Sequence, residues 1–146
     1  MFSLIITIIS IALVAALALA TLYYGGSAFN RGSAGAEAAR LINEGQQVNG
    51  AVAIAKADAA AGGTAVTDMA GLLSGGYLTQ APASFTGVTT LGAAVTKANV
   101  SLAICQEVEK RAGRTSPADQ ASFPATLSGV YGCVKNAAVL DFSYAI

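Results

Sequence analysis

The two cysteines, Cys105 and Cys133, carry the most distinctive chemistry of the chain, which has no histidine. Without a histidine or a Cys-x-x-Cys motif, nothing in the sequence would activate a thiolate for redox or nucleophilic catalysis. In an exported domain, these two cysteines favour a disulfide that closes the loop between them. Two buried free thiols in a reducing compartment are the alternative.

The other polar side chains show no pattern typical of an active site. Two cysteines without histidine cannot supply the usual ligands for zinc, iron or copper within one subunit. Asp58 and Asp68 leave a hard-cation site open, but their spacing does not favour one. Glu107 and Glu109 are interpreted as a solvated helix face rather than as an acid and base pair. The sequence therefore predicts no enzyme activity, no metal and no cofactor.

Charge and hydropathy are distributed unevenly along the 146 residues. Eight basic and eight acidic side chains balance, so the chain has no positive field that would favour nucleic-acid binding. No charged side chain precedes Arg31, and residues 2–24 are apolar except for two serines and two threonines. As a helix this segment would be about 34 Å long, which matches a bilayer core of about 30 Å. Because the basic start of a cleaved signal is missing, residues 1–24 are interpreted as a retained transmembrane or filament-core helix.

A glycine-rich joint is predicted over residues 25–35, starting at Gly25 and Gly26, because glycine weakens a helix. An amphipathic helix is predicted over 36–62, and a globular head over 63–146. Small or apolar residues of this second helix recur at spacings of three or four, which places them on one face. They are Ala38, Leu41, Gly45, Val48, Val52, Ala55 and Ala59. Gly62 and Gly63 are expected to end the helix.

The head mixes helical and extended patterns. A short helix is predicted at Asp68–Leu73, an extended piece before Pro82 and a strand over 86–90. A further helix is predicted over 95–112, and a final strand with alternating apolar residues within 130–146. The fold class is therefore α+β. A long N-terminal helix, apolar in its first half and amphipathic in its second, would pack on a small antiparallel-sheet head with one disulfide.

This order of features resembles the type IV pilins, and in detail the type IVb group. The stretch Leu72-Leu73-Ser74-Gly75-Gly76-Tyr77-Leu78, followed by Pro82, is similar to a segment after the long helix of such subunits. The run from Tyr131-Gly132-Cys133 to Phe142-Ser143-Tyr144 looks like their closing strand. The resemblance implies an extracellular filament on a bacterial surface, serving adhesion, motility or DNA uptake. It also implies that unassembled subunits reside in the inner membrane, and that the partners are other copies and a pilus assembly machinery.

The resemblance further implies that the chain is the processed form, with Met1 as an N-methylated terminus. Pilins generally carry a glutamate near this terminus, which pairs with the amine of a neighbouring subunit. Here Ile5 and Ile6 occupy that region. This leaves open a mainly hydrophobic registration, because a buried carboxylate without a reliable partner is costly and an isoleucine is not. The assembly helix would pack through Phe2, Leu4, Ile5, Ile8, Ile9, Ala12, Ala16 and Leu19.

Two other functions fit the same pattern. One is a pseudopilin of a secretion machine, which would form only a short piston. The other is a periplasmic binding domain held on the membrane by a single span. A filament is favoured because a helix that is apolar on all sides can lie in a lipid bilayer and later exchange its lipid contacts for contacts with identical helices. Head-to-tail contacts that repeat without closing produce a filament.

Overall fold

The computed structural model describes residues 2–86, 88 and 91–146. Helix α1 (Phe2–Ala60) has 59 residues and joins the two predicted N-terminal helices into one. Gly25 and Gly26 lie within it as helical residues. The chain forms two compact units, Met1–Ala34 and Gly35–Ile146. The predicted fold class is confirmed: a long N-terminal helix, a small antiparallel sheet and one disulfide.

The three α-helices of the described residues each stop just before a glycine with positive φ. Gly62 (φ 102°) follows α1, Gly76 (φ 75°) follows α2 (Met69–Ser74) and Gly113 (φ 72°) follows α3 (Leu102–Arg111). At each end, the backbone N–H groups of this glycine and of the next residue donate to carbonyls of the last helical turn. Such a Schellman motif needs a left-handed residue, a conformation that glycine adopts without a Cβ clash. The predicted stop at Gly62–Gly63 is therefore confirmed, and Gly113 ends α3 close to residue 112, where the helix predicted over 95–112 was expected to end.

The short helices begin at side-chain caps. The Asp68 carboxylate accepts a hydrogen bond from the Gly71 N–H at 2.6 Å, and the Ser101 hydroxyl accepts one from the Ile104 N–H at 3.4 Å. These bonds satisfy N–H groups that have no partner inside the helix. The helix predicted at Asp68–Leu73 is thus present as α2, with Asp68 as its N-cap.

The sheet contains three antiparallel strands with the last strand in the middle. β1 (Ala94–Lys97) and β2 (Tyr131–Asn136) flank β3 (Val139–Ala145), and Phe142 pairs with Lys97 on one side and Cys133 on the other. A two-residue turn joins β2 to β3, and its first residue, Ala137, has a φ of 52°. The central position leaves β3 without a free edge.

The structure corrects three predictions in the head. The helix predicted over 95–112 begins only at Leu102. Val95 and its neighbours form β1, and Asn99 adopts a left-handed conformation (φ 59°) that a right-handed helix does not contain. The single strand predicted within 130–146 is the β2–β3 hairpin, and Cys133 lies inside β2 rather than before the strand. The extended piece predicted before Pro82 is not a strand, since turns and bends follow α2.

The strand predicted over 86–90 falls partly outside the described residues. Of this range the structure describes Thr86 and Val88, and neither belongs to a strand.

One hydrophobic core joins α1 to the sheet and the head loops. The predicted face of α1 is buried at six of its seven positions, and Ala59 is half-buried. Opposite it lie Leu72, Phe85, Val95, Phe142 and Tyr144, all buried in the same cluster. Both faces of β3 are covered, so Asp141 and Ser143 are buried as well, although the alternating pattern placed them outside. Asp141 accepts hydrogen bonds there from the Asn99 N–H and the Asn136 amide.

The missing side chain of Gly45 leaves the space that the Tyr144 ring occupies. A Cβ at position 45 would lie 2.7 Å from Cγ of Tyr144, whereas a Cβ at Gly50 has no atom within 4 Å. We expect Gly45→Ala to lower the free energy of unfolding by about 1–3 kcal/mol through overpacking. Gly50→Ala should raise it by about 0.5–1 kcal/mol, since alanine favours the helix. Urea unfolding of the full chain in detergent measures both, and a stabilising Gly45→Ala would contradict this packing.

Candidate assembly surface

The apolar half of α1 is exposed along its whole described length. The large side chains of the predicted assembly set are between 53% and 86% exposed, from Ile9 to Phe2. Ala12 and Ala16 are exposed as well. Within the described residues, α1 is the one helix long and apolar enough to cross a bilayer. Such an exposed apolar surface is unfavourable in water.

Three hydroxyl groups in this segment bond within their own helix. Thr7 donates to the Leu4 carbonyl and Ser10 to the Ile6 carbonyl, both at 2.8 Å, and Thr21 donates to the Ala18 carbonyl at 2.9 Å. A hydroxyl bonded back to its own helix needs no hydrogen-bond partner on a neighbour in an apolar environment. At these three positions the helix therefore offers a neighbour mainly packing contacts.

The spacing of the predicted assembly residues gives one broad helix face. Phe2, Ile5, Ile9, Ala12, Ala16 and Leu19 follow one another at intervals of three and four, which is the spacing of a helix–helix seam. Leu4 and Ile8 extend the seam on one side. Met1, predicted as the processed terminus, lies outside the described residues.

Cysteine residues 105 and 133 form the predicted disulfide. Their Cα atoms are 5.6 Å apart, and the bond joins the first turn and a half of α3 to the middle of β2. Both residues are buried in the core. The bridge closes the long loop between α3 and β2, so this part of the head cannot move away from the sheet without breaking a covalent bond.

Glu109 is the residue whose role the sequence interpretation missed. It was predicted on a solvated face but is only 5% exposed. Glu109 forms a bidentate ion pair with Arg114, and its Oε1 also accepts the Cys133 N–H at 2.9 Å. Glu107, by contrast, lies nearer the surface and pairs with Lys110 and Arg111.

The end of α3 brings this ion pair together. Gly113 turns the chain back, so the next residue, Arg114, lies beside Glu109 five positions earlier. The pair lies over Gly132, where a Cβ would come 2.9 Å from Oε1 of Glu109. Glu109 in turn raises the pKa of Arg114, mainly by hydrogen bonding to it. A glutamate followed four and five residues later by Gly-Arg is the sequence signal that could have revealed the pair.

The same ion pair bonds to backbone groups on the outer edge of β2. Arg114 donates to the carbonyls of Tyr131 at 2.7 Å and Ser128 at 3.0 Å, while Glu109 accepts the outward N–H of Cys133. Further along β2, the Lys135 N–H donates to the Pro124 carbonyl at 2.7 Å. These bonded groups are not available to pair with a strand from another chain.

One cleft of the head, of about 460 Å³, lies between residues 64–68 and Tyr77 and is in the volume range of ligand sites. Its carboxylate, Asp68, caps α2, and nearby Asp58 raises the pKa of Tyr77 by hydrogen bonding to it. Among the described residues, no three His, Cys, Asp or Glu side chains are grouped to hold a metal.

Comparisons with protein-family models, curated proteins and solved structures find no match to this chain. The functional argument therefore depends on the residues and contacts described above.

Removing the disulfide should destabilise the head. Chain-entropy arguments for a loop of this length give about 3–4 kcal/mol in the free energy of unfolding. The double variant Cys105→Ser with Cys133→Ser should show this loss in urea unfolding of the full chain, and dithiothreitol should reproduce it in the wild type. A loss below about 1 kcal/mol would show that the bridge adds little to the free energy of unfolding and that non-covalent contacts stabilise the head.

Arg114 and Arg111 provide a matched pair of arginines. Arg114→Ala leaves the buried Glu109 without its partner, so we expect a loss of about 3 kcal/mol in the free energy of unfolding. Arg111 forms an exposed pair, so Arg111→Ala should cost about 1 kcal/mol or less. Equal losses for the two variants would contradict the structural role assigned to Glu109.

Proposed function

We propose that this protein is the structural subunit of a type IV pilus-like filament, polymerised through the apolar half of α1. The observation that carries the proposal is the exposed, charge-free helix surface from Phe2 to Leu22, attached to a head with its own core. The resemblance to type IVb pilins supports it, since the order of elements in those subunits is the same.

The exposed helix surface gives the polymer its driving force. In the membrane the helix would be solvated by lipid, and in the filament by copies of itself, with no water in either case. Alanines at positions 12 and 16 allow close approach of neighbouring helices, which favours association where lipid is equally apolar. Copies related by one repeated screw operation then extend without limit.

The disulfide supports an exported location for the head. Structural disulfides persist in oxidising compartments such as the periplasm and the cell surface. A filament subunit that waits in the inner membrane with its head outside the cytoplasm, and then moves to an extracellular fibre, meets that condition throughout. The pilus assembly machinery would supply the work of extraction from the membrane.

Registration of subunits would be hydrophobic. Residues 2–22 carry no charged side chain, and Ile5 and Ile6 are 54% and 62% exposed. Branched apolar side chains can interlock with those of a neighbouring helix without the desolvation cost of an ion pair. The register would therefore follow from the shape of the helix surface.

Ala16→Asp tests the proposal directly. A charge at this position would be buried in the dry filament core, so we expect at least a hundredfold loss of fibres from the sheared cell-surface fraction. Ala16→Ser is the matched control, because its hydroxyl can bond back to its own helix and should leave fibres in place. Electron microscopy and mass spectrometry of the sheared fraction provide the readout.

Two results would contradict the proposal. The wild-type chain could be found only in the membrane fraction, as expected for a domain anchored by a single span. Alternatively, fibres made of the Ala16→Asp chain could form at wild-type levels, which would place the helix outside the packed core.

A further inference from the structure

The cleft of about 460 Å³ beside α2, called the α2 cleft below, is shaped by contacts within the chain. The Leu91 N–H donates to the Thr67 carbonyl at 2.8 Å and so ties down one wall. Gly71 lets that wall approach α2, because a Cβ at this position would lie 2.8 Å from Cγ1 of Val66. A site whose walls are already in place binds a ligand without the entropic cost of ordering them.

Another wall of the α2 cleft is the ring of Tyr77. The ring packs on the backbone of Gly75, where a Cβ would lie 2.5 Å from Cε2 of the ring. The Tyr77 hydroxyl donates to the carboxylate of Asp58 near the end of α1. These two contacts orient a ring that is only half-buried. An aromatic face carries partial negative charge, so it attracts the C–H groups of a ligand that lies flat on it.

The polar groups of the α2 cleft are hydroxyls and one carboxylate. Oδ1 of Asp68 accepts the Gly71 N–H, and its second oxygen has no hydrogen-bond partner within the described residues. The side chains of Thr64 and Thr67 are exposed, and their hydroxyls form no hydrogen bond in the same part of the chain. The cleft thus offers a carboxylate acceptor beside hydroxyls that can donate or accept.

The charges of the α2 cleft decide the class of ligand. Its described lining contains no lysine or arginine, so an anion would meet the carboxylate of Asp68 without a counter-charge. A calcium ion needs about six or more oxygen ligands, and the described residues hold no group of three His, Cys, Asp or Glu side chains. A neutral ring with several hydroxyls matches the lining, because its hydroxyls can donate to Asp68 while its C–H face lies on Tyr77.

We propose that the α2 cleft binds a neutral sugar ring. The ring lies flat on Tyr77, one of its hydroxyls donates to Asp68, and others bond to Thr64 and Thr67. The inference goes beyond filament formation, since the cleft belongs to the head alone and needs no second copy of the chain.

Saturation-transfer NMR of the full chain, in a detergent without a sugar headgroup, tests the proposal. The neutral probes are the methyl glycosides of glucose, galactose, mannose and N-acetylglucosamine, and the charged probes are glucuronate and choline. At least one neutral probe should bind with a Kd of about 10 mM or tighter, and both charged probes should bind at least tenfold more weakly. Failure of all four neutral probes to bind, or a charged probe that binds as tightly, would overturn the proposal.

Asp68 and Asp119 provide a matched pair of carboxylates. Each caps a short helix, and asparagine caps a helix as well as aspartate does, so urea unfolding of both asparagine variants should match the wild type. Asp68→Asn should weaken binding of the neutral probe at least fivefold, because the charged acceptor is lost. Asp119→Asn, outside the cleft, should stay within twofold. Unchanged binding by Asp68→Asn, or an equal loss for both variants, would overturn the proposal.

The ring of Tyr77 provides a separate test of the stacking contact. Tyr77→Leu should weaken binding at least tenfold, whereas Tyr77→Phe keeps the ring and should stay within threefold of the wild type. Equal losses for the two variants would contradict stacking and overturn the proposed site. All of these measurements use solubilised subunits, so their failure would leave the filament proposal in place.

Discussion

The charge-free helix surface between Phe2 and Leu22 is the constraint on which the rest of the molecule depends. Its side chains are exposed, and the hydroxyls at positions 7, 10 and 21 are bonded within the helix. Water is an unfavourable solvent for this surface, and in the proposed filament the segment is surrounded first by lipid and then by like helices. The buried core lies in the rest of the chain, from Ala38 onwards.

The head combines this core with a partly occupied edge at β2. The disulfide ties α3 to β2, and the Glu109–Arg114 pair together with Pro124 bonds to outward backbone groups of β2. Open strand edges pair with one another, so these contacts restrict the pairing of β2 with a strand of another chain.

The elements that could be predicted are those that depend on residues close to one another along the chain. The period of apolar residues gave the buried face of α1, and glycines marked the helix ends, because both depend on neighbours a few positions away. The missed features depend on distant partners. Val95 joins a strand because β3 offers it an edge, and Asp141 is buried because β3 is covered on both faces. Glu109 is buried because the turn at Gly113 returns Arg114 to it. The exposed apolar helix, by contrast, was visible in composition alone.

The lack of charged side chains in residues 2–22 gives the account its most specific consequence, since apolar shape sets the subunit register in the proposed filament. Helical reconstruction of purified fibres by electron cryo-microscopy tests this claim most directly. The account predicts a central bundle in which residues 2–22 of neighbouring copies interlock through Ile5, Ile9 and Ala16, with no charged side chain inside it. Fibres whose apolar helices lie outside the core, or a chain found only as single membrane-bound subunits, would contradict it.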